Sequence, residues 1–219
     1  HLDHRPPAAL SWRPTDRAPG IRMPEPPHPI GFWSYVRHDD EGSDGWLLKL
    51  RLRLTADLRR KTGNRQTKIW QDQEMIPAGG DWEARITSAI GESLFFVPIV
   101  TPGFLLSEWC CKELLMFAER AREQGWDERI FPIHYEDVGR PERLTDGDCY
   151  APKILPILRK GQWVELTDSA LHASDLNSPL DPDAKILRTK IEELATHIRN
   201  ALAPTAAAST RTAAADVPP

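Results

Sequence analysis

LFFVPIV, Leu94 to Val100, is a run of seven residues with no polar side chain. A strand with one wet face alternates apolar and polar residues. An unbroken apolar run of this length, rich in Phe, Val and Ile, marks a strand covered on both faces. Such strands belong to parallel sheets with helices above and below. The flanks agree. Upstream, Asp81 is placed to cap a helix with Trp82, Ile86, Ala89 and Ile90 facing inward. Downstream, Ser107 is placed to cap a helix that runs to about Gln124 and stops at Gly125, with Cys110, Leu114, Phe117, Ala118 and Ala121 as its core stripe.

The same alternation extends in both directions. Ile30–Val36 reads as a first strand. Asp44 is placed to cap a helix to about Lys61, with Leu47, Leu50, Leu54 and Leu58 on one face and Gly63 as its stop. Thr67–Gln71, Ile130–Tyr135 and Gln162–Leu166 read as the second, fourth and fifth strands. A short helix fits near Lys153–Leu158, and Asp183 to about Leu202 is a final amphipathic helix. Strands alternating with helices predict an α/β fold: a flavodoxin-like three-layer sandwich whose five-stranded parallel sheet has the order 2-1-3-4-5 and helices on both faces.

This domain is expected over residues 30–203. Residues 1–29 hold eight prolines, from Pro6 to Pro29, and read as a disordered leader, with Met23 a candidate start. Residues 204–219, rich in Ala, Thr and Pro, read as a loose tail or linker. The 219-residue chain is 40% hydrophobic and 27% charged, as a globular domain should be. A net charge of −4 gives no electrostatic case for nucleic acid. No apolar run approaches the ~20 residues of a membrane span, so no membrane is expected as a partner. Three cysteines, two of them adjacent as Cys110 and Cys111, argue against a disulfide framework or a zinc site and point to a reducing cytoplasm. His38 and His134 have no metal-like partner spacing, so no metal is expected.

In a 2-1-3-4-5 sheet, ligands sit beyond the carboxyl ends of the strands where the order reverses, between strands one and three. Here Ser34–Arg37 and the Thr101–Trp109 connection bound that crevice. Beside it, Glu113 has Trp109, Cys110, Met116 and Phe117 as its helical neighbours, and none of them forms an ion pair. Several chemistries are excluded. Asp39 and Asp40 offer the acidic pair of a phosphorylated receiver, but no aspartate ends strand three. The loop SYVRHDDEG is too bulky and charged for a flavin phosphate. There is no Walker loop, Gly-x-Gly-x-x-Gly or Gly-x-Ser-x-Gly.

Three segments resemble the Toll/interleukin receptor (TIR) domains, in the right order. GFWSYVRHDD, from Gly31, looks like their first box. IWQDQEMIPAGGDWEARITSAI, from Ile69, is similar to the second box and the helix after it. VTPGFLLSEWCCKEL, from Val100, resembles the Ser-x-Trp-Cys-x-x-Glu-Leu segment of their third helix. The closest flavour is bacterial. The resemblance implies either cleavage of nicotinamide adenine dinucleotide (NAD) at the nicotinamide–ribose bond, in bacterial defence or stress signalling, or a non-enzymatic adaptor that self-associates. For the enzyme it implies Glu113 as the catalytic residue, with Trp109 beside it. Ser34, Tyr35 and Arg37 would border the nucleotide, Trp70 would stack on nicotinamide, and Asp72 would stand at the loop mouth. NAD is then the substrate and no cofactor is needed. The loop Asp72 to Gly80 is expected to dock on a second copy.

Cleavage of an N-glycosidic bond develops positive charge on the ribose, which a fixed carboxylate stabilises. Taken one at a time, each residue also has a plainer reading. Glu113 fits an exposed flank of the core stripe, Trp109 and Trp70 fit packing, and Arg37 fits a solvated ion pair with Asp39 or Asp40. Retention of Trp109-x-x-x-Glu113 favours the enzyme over the adaptor.

Overall fold

The computed structural model describes residues 30–41, 45–71, 82–126, 128–139, 150–161, 163–178 and 180–203. The expected leader, tail, caps Asp44 and Asp81, Trp82 side chain, and loop Asp72–Gly80 lie outside the described residues. Five parallel strands, β1 (Ile30–Ser34), β2 (Lys68–Gln71), β3 (Phe95–Val100), β4 (Ile133–His134) and β5 (Val164–Glu165), form one sheet in the order 2-1-3-4-5. The long helices are α2 (Trp46–Thr62), α3 (Trp82–Glu92), α5 (Glu108–Gln124), α6 (Ala151–Lys160) and α8 (Pro182–Leu202). This is the expected flavodoxin-like sandwich.

The unbroken apolar run of β3 is explained by two cores. Phe95, Val97 and Ile99 point to one face, where Leu47, Leu50, Leu54 and Leu58 of α2 meet Leu187, Ile191, Leu194 and Ile198 of α8. Phe96 and Val100 point to the other, against Ile86 and Ile90 of α3 and Leu114 and Phe117 of α5. Each fully buried side chain of this size stabilises the fold by about 1.5–3 kcal/mol. Strand β1 divides in the same way, Phe32 toward α5 and Trp33 toward α2. Ser34, next in that alternation, therefore faces α5.

The fourth strand is shorter than the predicted Ile130–Tyr135. Phe96 donates to the Arg129 carbonyl at 2.9 Å and its own carbonyl accepts from Phe131 at 2.8 Å, which makes an isolated bridge at Ile130. Two residues further on, Pro98 has no N–H to give to the facing carbonyl, so the ladder lapses. It resumes where Ile99 pairs with Ile133. The fifth strand is likewise confined to Val164–Glu165.

Three one-turn helices, α1 (Arg37–Glu41), α4 (Pro102–Leu106) and α7 (Ser169–Ala173), are too short to show a helical period in sequence. They are held by side chains: Thr101 Oγ1 accepts from Phe104 N–H, and Asp168 from Ala170 N–H. Gly45 precedes α2 with φ 71°, and it has no side chain to cap the helix. Asp40, from α1, accepts the Leu47 N–H at 3.0 Å instead. Gly63 (φ 68°) and Gly125 (φ 68°) end α2 and α5 in the left-handed conformation, as expected.

Gly31 has a different reason to be glycine. A Cβ there would lie 2.2 Å from the Phe95 ring. Gly31→Ala is therefore expected to destabilise the fold by about 1–3 kcal/mol through overpacking. Thermal or urea unfolding measures this, and an unchanged midpoint would contradict the close approach.

Candidate functional site

Glu113 is a buried carboxylate, only 3% exposed. Two donors hold it. The indole Nε1–H of Trp109, one turn earlier on α5, donates to Oε1 at 2.8 Å. The hydroxyl of Ser34, at the carboxyl end of β1, donates to Oε2 at 2.5 Å. Ser34 is itself 2% exposed. Local chemistry sets the register. Ser107 stands outside the helix with ψ 107° and accepts the Cys110 N–H at 3.2 Å. Once α5 starts there, positions 109 and 113 share a face. The short helix α4 is tied to α5 by the Cys111 thiol, which contacts the Phe104 and Leu105 carbonyls at 3.6 and 3.7 Å.

The site lies at the switch point of the sheet, where β1 has β2 on one side and β3 on the other. The connections leaving β1 and β3 are joined across it. Thr101 Oγ1 donates to Asp39 Oδ2 at 2.7 Å, so the first box and the start of α4 meet. At the outer end of α5, Glu108 is held below the usual carboxylate range by Lys112, with a weaker contribution from the Tyr150 hydroxyl of the residue before α6.

The expected site residues divide into three groups. Ser34, Trp109 and Glu113 come together. Tyr35 does not join them: the β alternation turns it to the opposite face, against the α2–α8 core, where its hydroxyl accepts from Gln71 Nε2 at 2.5 Å. Burial and the nearby Asp40 charge push the Tyr35 hydroxyl up to about 12. Arg37 is exposed at the start of α1. Trp70 packs on Phe32, with ring centroids 5.1 Å apart, and lines a hollow of about 200 Å³ with Arg85, Ser88 and Glu92. Asp72 lies outside the described residues. Among the described residues, no group of three or more His, Cys, Asp or Glu is placed to hold a metal ion, and no helix is long and apolar enough to cross a membrane.

Sequence reasoning missed two features. Cys110 belongs to the site's lining: burial first, then the neighbouring Glu113 charge, push its thiol up to about 12, with Ser34 and Ser107 opposing. Its place in SEWCCKEL, three residues before Glu113, was the available signal. Asp39 has a structural partner in Thr101, which nothing local in the sequence indicates.

The family described as "TIR domain" matches residues 34–183, and the chain belongs to that family. A Brachypodium distachyon protein described as "Probable 2' cyclic ADP-D-ribose synthase BdTIR" is 33% identical over 88 residues. That alignment covers 38% of this chain and 37% of the relative, so the chain spans little more than a third of that protein's length. Among solved structures, the TIR domains of the activated Roq1 resistosome directly recognizing the pathogen effector XopQ align at 18% identity. They cover 85% of this chain and 98% of the other, with a TM-score of 0.39.

A thiol titrating near 12 is protonated and inert at neutral pH. Iodoacetamide at pH 8 is therefore expected to leave Cys110 unmodified in the folded protein and to label it in denaturant. Peptide mass spectrometry reads this, and rapid native labelling would contradict the packing of Cys110 behind Glu113.

Proposed function

We propose that this TIR domain cleaves NAD between nicotinamide and ribose, with Glu113 as the catalytic residue. The observation that carries the reading is the buried Glu113 carboxylate at the carboxyl end of β1, with one oxygen oriented by Ser34 and the other by Trp109. A carboxylate fixed in this way meets developing positive charge without reorganising, which concentrates its effect in the transition state. The bond from ribose C1′ to the pyridinium nitrogen breaks, and its electron pair leaves with neutral nicotinamide. Glu113 stabilises the cationic sugar and accepts a ribose hydroxyl on its remaining lone pairs. Water at C1′ then gives ADP-ribose and a proton. An internal nucleophile of the same molecule gives a cyclic isomer, the product class in the Brachypodium relative's description.

Ser34 and Trp109 act here through Glu113. Arg37 and Asp72 remain proposed contacts for the nucleotide, from the first box and the loop after β2, and Tyr35 and Trp70 flank β1 from its two faces. In this reading NAD is the substrate and no cofactor is required. Copies associate through the segment Asp72–Gly80, and the setting is cytoplasmic defence or stress signalling in a bacterium. Specific activity is then expected to rise with protein concentration.

The test follows nicotinamide release from NAD by concentrated protein. Glu113→Gln is expected to lower kcat by at least about 10²-fold with the fold intact. A hydrogen bond to a charged group contributes about 1.5–3 kcal/mol, so Ser34→Ala is expected to lower kcat by about 10- to 100-fold with little change in KM. Equal release by Glu113→Gln would remove that residue from the chemistry. No release by the unaltered chain at any concentration would leave the non-enzymatic adaptor.

A further inference from the structure

Strand β2 ends the sheet: among the described residues it pairs with β1 and with no strand on its other side. Such an edge offers its N–H and C=O groups to the edge of another chain. Which groups point outward follows from the ladder. In a parallel pair, a residue that faces a neighbouring strand gives it both N–H and C=O, and the next residue faces the other way. Phe96 of β3 gives both groups to the β4 side, so Phe95 and Val97 face β1. With Gly31 level with Phe95, they are met by Ile30 and Phe32, and the Ile30 carbonyl does lie on that side, accepting the Leu94 N–H at 2.8 Å. Gly31 and Trp33 are left to face β2. Since Gly31 is level with Ile69, Lys68 and Trp70 meet them, and the main chain of Thr67, Ile69 and Gln71 faces the free edge.

Two of those outward carbonyls are taken by arginines of α2. Arg51 Nη1 donates to the Ile69 carbonyl at 2.8 Å, and Arg59 Nε donates to the Thr67 carbonyl at 2.9 Å. The earlier arginine meets the later carbonyl because α2 runs back along β2. The Thr67 N–H is turned away as well, to the Asn64 carbonyl at 3.3 Å. Arg51 is only 4% exposed, while Arg59 is exposed. A strand added at β2 would need the same two carbonyls, and it would meet a guanidinium at each.

We propose that Arg51 and Arg59 are edge guards, which close β2 against antiparallel pairing with β2 of a second copy of this chain. A second copy is the occupant to be excluded because a twofold axis matches an edge to itself, so every copy in solution carries a complementary edge. The guard acts through donated N–H groups, since each carbonyl accepts from the arginine in place of a partner's main chain. It is independent of the proposed NAD chemistry and stands or falls without it.

The test uses Arg59, whose exposure leaves the core untouched. Arg59→Met keeps much of the stem and removes every donor. It is expected to raise the self-association constant at least about tenfold by sedimentation, although the chain becomes more negative and like charges oppose association. Arg59→Lys, which keeps a donor and the charge, is expected to behave as the unaltered chain. In Arg59→Met the Ile69 amide, which faces the free edge, is expected to exchange more slowly with deuterium as protein concentration rises. The Trp70 amide, which faces β1, is expected to show no such dependence. An unchanged association constant in Arg59→Met, equal association in Arg59→Lys, or association that leaves Ile69 exchange unaltered would each overturn the proposal. So would association that appears only with loss of the helical circular dichroism, because unfolding rather than an opened edge would then drive it.

Discussion

A carboxylate is kept in a protein interior only if its oxygens are hydrogen-bonded, and at Glu113 that condition joins the two halves of the domain. The Ser34 hydroxyl comes from the first strand and the Trp109 indole from the fifth helix. Their donors fix the carboxylate, and the carboxylate in turn fixes how α5 lies against the end of β1. Removing either donor deletes a hydrogen bond to a charged group, a cost of about 1.5–3 kcal/mol. Fold and candidate chemistry therefore share one small set of atoms.

Those atoms are placed by features with no chemical role. The two-faced core lets β3 be apolar throughout, and β1 inherits the same division, Phe32 to one side and Trp33 to the other. That alternation sends Ser34 toward α5 and Tyr35 away from it. The Ser107 cap then sets where α5 begins, so that positions 109 and 113 reach the carboxyl end of the sheet. A proline shapes the other side. Pro98 interrupts the β3–β4 ladder, which resumes at Ile99 and Ile133 and leaves β4 two residues long.

Much of this was legible because it is local. The apolar periods of α2, α5 and α8, the glycine stops at Gly63 and Gly125, and the Ser107 cap each depend on residues within a few positions of one another. The strand order followed from the alternation of strands and helices. What escaped was non-local. Ser34 and Glu113 are 79 positions apart, and no periodicity announces their hydrogen bond. Asp40 caps α2 from across an intervening stretch. The effect of Pro98 depends on which carbonyl lies opposite, and that is a matter of register. Trp109 was legible as a neighbour of Glu113, but not as its donor. The side taken by Tyr35 was in principle readable from the period of two, once Phe32 was assigned to α5.

The bond from Thr101 to Asp39 has a consequence for the stiffness of the crevice at the sheet's switch point. It staples the segment after β1 to the segment after β3, and Gly103 sits so close that an added methyl would lie 3.3 Å from Asp39 Oδ1. Those two rims form a fixed doorpost rather than a pair of independent flaps. A shift of one rim therefore carries the other with it, while the Glu113 carboxylate is moored separately by Ser34 and Trp109.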